Sequence, residues 1–287
     1  MNKAISRRSW VVLFHALALC VGMACESPTT VSYDRETFTP GDSSTNLFAT
    51  SGRFYLLHPG DTAVLHGAHR CSTIVNGTLA TASFDSVRFC TITTIPITLL
   101  LSDSQYAVYP QIQEFVGGPD GALSYTATRY FERTGSCIRQ WAYRDQAGLH
   151  VPRITEVMPE TLVVDQVWPT TPLLPFACDY GDVSIAVTGY STAKEAIASW
   201  VLGGYTYRLG VSVVTYYSVT GQGVSGGTAV NVSGTIMARS YYFRDRGLLQ
   251  SNITSRIQWT SHAGDTRLRV EHIHFDRGDT EAPLRSD

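Results

Sequence analysis

Lysine is almost missing from this chain. Two occur in 287 residues, Lys3 and Lys194, so nearly all positive charge is arginine. Only 16% of residues are charged, and the formal net charge is −2. A balance this close to neutral excludes the strong basic field that holds nucleic acid or an anionic membrane surface. No apolar run reaches the roughly 20 residues that a membrane-spanning helix needs. Cysteines are few, and those at 71, 90, 137 and 178 are too widely spaced for a CxxC zinc or redox site.

What remains is rich in Thr, Ser, Tyr and Val, residue types that fit pleated sheet better than helix. Hydrophobic alternation and turn residues predict strands at Thr62–Leu65, Thr78–Phe84, Val87–Thr94, Gln111–Val116, Ala122–Glu132 and Cys137–Arg144. A C-terminal series follows at Val183–Thr188, Tyr205–Thr220, Thr228–Phe243, Leu248–Trp259 and Thr266–Phe275, with a turn at Gly221-Gln222-Gly223. Arg53–His58 also reads as a strand, ended by Pro59-Gly60-Asp61. One helix is expected, Thr192–Leu202: Thr192 and Glu195 form a capping box, and Gly203-Gly204 stops it. The fold class is therefore all-β, an antiparallel sandwich or half-open barrel-like meander with one short helix. The β-rich body is expected over 46–276, with a possible sub-boundary in the Pro-rich 168–176 and a polar tail at 277–287.

The N-terminus reads as an address. Lys3, Arg7 and Arg8 precede a short apolar stretch, Trp10–Leu19, and small residues end at Gly22-Met23-Ala24-Cys25. That is the pattern of a secretory signal peptide over 1–24. Ala24-Cys25 resembles the lipobox of bacterial lipoproteins, although Gly22 stands where that family usually has Leu. The resemblance implies lipidation of Cys25, a flexible tether over 25–45, and a membrane-anchored location in the cell envelope facing periplasm or exterior. Plain cleavage after Ala24 is the alternative. Ser6-Arg7-Arg8-Ser9-Trp10-Val11 also resembles the twin-arginine export motif. In an exported chain the four remaining cysteines, Cys71, Cys90, Cys137 and Cys178, suggest two disulfides. Three pairings are possible; Cys71–Cys90 and Cys137–Cys178 are preferred because each closes a local loop.

Several motifs resemble catalytic ones and each lacks a part. Gly223-Val224-Ser225-Gly226-Gly227 fits G-x-S-x-G, but strand-like residues follow where a nucleophile elbow needs a helix. Ala68-His69-Arg70-Cys71 and Ile97-Thr98-Leu99-Leu100 resemble segments of trypsin-like proteases. Arg70 interrupts the first, and Pro96 stands where that family has its aspartate. His272 and His274 point to one face of a strand and are weak metal candidates; His66 and His69 offer further nitrogens, with Asp61, Asp265 and Glu271 nearby in sequence. Tyr205, Tyr207, Tyr216, Tyr217, Tyr241, Tyr242 and Phe243 suggest a tyrosine-lined sheet face. Tyr241-Tyr242-Phe243 with Gly247-Leu248-Leu249 resembles a strand–turn–strand of many secreted bacterial β proteins. The same segment faintly echoes Arg129-Tyr130-Phe131. The expected function is a non-catalytic envelope lipoprotein with a structural or binding role. Its expected partners are the membrane, through the lipid, and an envelope protein, glycan or apolar ligand, with no nucleic acid and no cofactor. The alternatives are a lipid or apolar-ligand carrier and, behind it, a secreted hydrolase or metalloenzyme.

Overall fold

A computed structural model describes residues 46–48, 54–55, 57–101, 104–117, 123–134, 137–145, 148–150, 155–159, 162–170, 176–178, 183–225 and 227–277. The expected signal segment, Cys25, the expected tether and most of the C-terminal tail lie outside these residues.

The described residues are all-β. A short pair, β1 (Asn46–Phe48) with β10 (Leu162–Val163), stands apart from one large antiparallel sheet. The large sheet contains β2 (Thr62–Val75), β3 (Thr78–Thr93), β4 (Ile97–Leu101), β5 (Ser104–Gly117), β6 (Leu123–Arg133), β7 (Cys137–Asp145), β8 (Gly148–His150) and β9 (Thr155–Pro159). It continues with β11 (Val167–Pro169), β12 (Phe176–Cys178), β13 (Val183–Leu202), β14 (Tyr205–Ser225), β15 (Thr228–Phe243), β16 (Gly247–Ser261) and β17 (Thr266–Arg277). β13 to β17 form the expected meander. Its last strand then pairs with β2, joining the C-terminal strands to the N-terminal ones in the order β17-β2-β3-β5-β6-β7. The β11 and β9 ends of the sheet approach each other without a ladder. Trp168 Nε1 of β11 donates to Val157 O of β9 at 3.2 Å.

Alternation explains which face turns in. On β17, Arg269, Glu271, Ile273, Phe275 and Arg277 are buried, and the residues between them are half-buried or exposed. The register carries the same parity across β16 (Ile253, Ser255, Ile257, Trp259) and β2 (Leu65, His69, Thr73). The inward side chains of both halves meet in one core, where Phe275 lies 6.0 Å from Phe89 and 6.1 Å from Phe115 between ring centroids. Each such side chain contributes roughly 1.5–3 kcal/mol on burial. On these three strands the outward face carries polar side chains, with Arg256 and Gln258 on β16, His272 on β17, and His66 and Arg70 on β2 all exposed; further along the sheet Phe84, Ile92 and Ile112 are exposed as well.

Three expectations are corrected in detail. No helix forms at Thr192–Leu202; these residues finish β13 and pair with β14. A bulge lies between Ala193 and Glu195, and buried Ala193, Ile197 and Trp200 fall at spacings of four and three, which imitate a helical face. Gly203 and Gly204, at φ +58° and +80°, are the two-residue turn of the β13–β14 hairpin. The expected turn at Gly221-Gln222-Gly223 is also strand, paired through to Ser225↔Thr228. Arg53–His58 forms no strand among its described residues; Phe54 and Leu57 instead insert as buried anchors.

The expected Cys71–Cys90 disulfide is not formed. Cys71 stands opposite Ser83 on β3, whereas Cys90 stands opposite Val64. Seven strand positions are roughly 23 Å, and a bridge requires Cα atoms about 4.4–6.8 Å apart. The two side chains also point to opposite faces, because their register parities differ. Local loop closure was the wrong criterion once both cysteines lay in one long hairpin. The side chain of Cys178 lies outside the description. Alkylation of the denatured, unreduced protein is expected to label Cys71, Cys90 and Cys137. A peptide map containing a Cys71–Cys90 cross-link would contradict the β2–β3 register.

Candidate functional site

Two polar features break the inward face. The first is at mid-sheet, where β2, β16 and β17 lie side by side. Cys71 pairs with Glu271, and His69 stands one inward position away on β2. Glu271 Oε1 meets the Arg269 guanidinium and lies 3.3 Å from His69 Nε2; Ser255 Oγ donates to Oε2 at 3.1 Å. His69, Arg269 and Glu271 are each at most 5% exposed in their side chains. Burial alone would raise the Glu271 carboxyl. The Arg269 charge, then the hydrogen bond and charge of His69, outweigh it and hold the group at about 2. Burial pushes the Cys71 thiol up, with Arg269 opposing it in part, so no reactive thiolate is favoured there.

His69, Cys71 and Glu271 place a nitrogen, a sulfur and an oxygen within 4.8 Å of one another. That is a donor set zinc accepts, but the Glu271 charge is already matched by Arg269. A cation would have to displace a guanidinium from a dry site. The arrangement therefore explains itself as a satisfied buried ion pair.

The other sequence candidates do not converge on it. His272 and His274 face outward, as does His66, while His69 faces inward. His274 hydrogen-bonds Asn252 and lies 3.2 Å from Asp276; His272 Nδ1 is 3.3 Å from Thr254 Oγ1. Ser225 closes the β14–β15 hairpin as a strand–turn–strand, the wrong setting for a nucleophile elbow. The ladders place His69 level with Ile273, Ile253, Ala238 and Thr215. From Thr215 to Ser225 along β14 is roughly 33 Å. The tyrosines divide between the faces: Tyr217, Tyr241, Tyr242 and Phe243 are buried, while Tyr205 and Tyr216 are exposed.

The second feature is a cavity of about 50 Å³ at one end of the sheet. Three cross-strand rows build it. Leu65, Phe89 and Phe115 form the apolar floor. Ala63, Thr91 and Gln113 lie above them, and Thr93 and Gln111 lie nearest the mouth. Asp61 joins the top row, where Thr93 N donates to Asp61 O at 2.9 Å. Tyr242 and the turn Arg246-Gly247-Leu248 cover the opposite side. Arg277 fixes that turn, donating to Arg246 O at 2.8 Å and to Thr62 O at 3.3 Å. Desolvation raises the Tyr55 hydroxyl to about 12 and raises Tyr242 as well, so both remain neutral hydrogen-bonding groups.

Sequence reasoning missed this site. The signal was the parity of β5: Gln111 and Gln113 share it with buried Phe115. Glutamines at inward positions of a strand are buried polar groups, and those need partners.

No protein-family model and no curated protein matches the chain. Among solved structures it is similar to an outer membrane channel from Pseudomonas putida F1, at 11% identity over 83% of this chain and 100% of that one, with a TM-score of 0.26. It is also similar to a Rhodopseudomonas blastica porin, at 8% identity over 75% and 100%, TM-score 0.25. Pseudomonas aeruginosa OpdL gives 10% identity over 75% and 98%, TM-score 0.24. Similarity at this level defines no family and assigns no function.

Proposed function

We propose that the chain is an exported, non-catalytic protein of the bacterial cell envelope, held at a membrane by a lipid on Cys25 and presenting its β body to water as a binding scaffold. The observation that carries the water-facing part is the polar outward patch on β2, β16 and β17. A membrane-spanning barrel needs an outward apolar band about 25 Å tall, and an outward Arg at mid-bilayer costs roughly 2–4 kcal/mol. Here Arg70, Arg256 and His272 stand exposed side by side on β2, β16 and β17, where such a band would cross, although Phe84 and Ile92 on β3 and Ile112 on β5 are also exposed. The lipobox resemblance supports the anchor. A non-catalytic role is favoured because His69 and Glu271 are enclosed and Ser225 lies far from them. A carrier of acyl chains fits less well: a cavity of about 50 Å³ is small for that load.

Fractionation tests this reading. The full chain, expressed in a bacterium, is expected in the membrane fraction and to incorporate labelled palmitate. Cys25→Ala is expected to take up no label and to move to the aqueous extract. If the Cys25→Ala protein still needs detergent for extraction, the water-facing reading fails.

A further inference from the structure

The end cavity carries an acceptor with nothing to accept. Gln113 Nε2 donates to Gln111 Oε1 at 2.9 Å, and Gln111 Nε2 donates to Thr93 Oγ1 at 3.3 Å. The chain of amides runs one way, towards the mouth. It leaves Gln113 Oε1 buried with no hydrogen-bond partner among the described residues, on a side chain 3% exposed that lines the cavity. A buried carbonyl left unpaired destabilises the fold, and unpaired polar groups of this kind are concentrated where a ligand completes them.

We propose that this cavity is a binding site for a neutral sugar, whose hydroxyl donates to Gln113 Oε1; the proposal deepens the scaffold reading above and rests on it. Three observations select the ligand chemistry. The wall around Gln113 is made of amides and hydroxyls, Gln111, Thr91 and Thr93, which donate and accept as sugar hydroxyls do. No unmatched charge sits in the depth of the site; Asp61 and Arg246, of opposite sign, stand at its rim. Phe89 and Tyr242 offer aromatic surface to the C–H face of a ring. About 10–15 Å³ of cavity space of this kind holds one water, so the site takes roughly three to five water-sized groups, enough for a hydroxymethyl arm and adjacent hydroxyls. The ring itself sits in the open mouth.

The test is a titration of the full mature protein, ¹⁵N-labelled, with glucose, galactose and N-acetylglucosamine up to about 50 mM, above the millimolar range of weak binding. At least one sugar is expected to shift the side-chain amide signals of Gln111 and Gln113 saturably. Gln113→Met keeps the length of the side chain and removes the orphan acceptor. It also removes the donor to Gln111 Oε1, so it is expected to lower the melting temperature slightly and, in a protein whose backbone amide spectrum stays folded, to weaken that binding at least tenfold. Ala63→Leu fills the cavity from the neighbouring strand and is expected to abolish binding. The proposal is overturned if no sugar shifts these signals, if Gln113→Met binds as the parent does, or if hexanoate shifts them in place of sugar. The fate of the Cys25→Ala protein is independent of all three outcomes, so failure here leaves the envelope reading standing.

Discussion

Gly67→Ala is expected to cost about 4 kcal/mol or more, lowering the melting temperature by roughly 8–16 °C for a domain of this size. Gly67 lies on β2 opposite Phe275 of β17, at the junction of the N-terminal and C-terminal strands. A Cβ there would stand 1.7 Å from His274 O and 3.0 Å from the Cα of Phe275. Both are backbone atoms, so no side chain can swing aside. Relief requires β2 and β17 to separate, and theirs is the ladder that makes one sheet of the two sets of strands. Gly189 shows the same design on β13, where a Cβ would lie 2.1 Å from Tyr216 O. Glycine at inward positions lets neighbouring backbones close up as the sheet coils. Gly77 is the control. It sits at φ +81° in the β2–β3 turn with nothing within 4 Å of a Cβ, so Gly77→Ala should cost only the about 1–2 kcal/mol of a left-handed residue. Thermal melts of the two variants separate the causes. Equal losses would mean that β2 and β17 do not approach as closely as described.

The same junction marks how far sequence reasoning reached. Each C-terminal strand was readable because its alternation is local, and the Thr228–Phe243 strand is found with its expected bounds. The β17–β2 pairing joins residues about two hundred positions apart, and no local pattern announces it. The Thr192–Leu202 error has a different source. The buried residues there fall at spacings of four and three, as on a helix, and the two glycines that end the segment stop a helix or turn a hairpin equally well. The cysteines misled because an even count says nothing about face. Face is set by register, and register puts Cys71 inside and Cys90 outside. At the sites, Glu271 was visible as a carboxylate near histidines, but its inward partner His69 was grouped with outward His272 and His274. Gln111 and Gln113 were passed over because a strand was recognised without asking which of its residues turn in.

Removing the guanidinium from the buried ion pair is expected to reverse the protein's response to acid. In the parent, Glu271 has a folded-state value of about 2 against an ordinary 4.5. A lowered carboxyl contributes stability that is present above about 4.5 and is lost as pH falls towards 2, worth roughly 3 kcal/mol at neutral pH. The facing groups are Arg269 on the same strand, His69 and Cys71 on β2, and Ser255 on β16; Asp85 on β3 stands beyond Cys71. Arg269→Met leaves the carboxylate enclosed with only His69 to balance it, and breaking a buried pair in this way costs about 3–5 kcal/mol. Desolvation then dominates and raises Glu271 above 4.5. The variant should therefore be closest to the parent below pH 4.5 and fall further behind as pH rises through the new value. Arg269→Met with Glu271→Gln removes both charges and should recover part of the loss at pH 7, with a flatter profile between pH 2 and 5 than the parent. Urea unfolding at a series of pH values reads all three. A parent stability that does not change between pH 5 and 2, or a single variant hit equally at every pH, would mean that Glu271 is not held ionised by Arg269 in the folded protein.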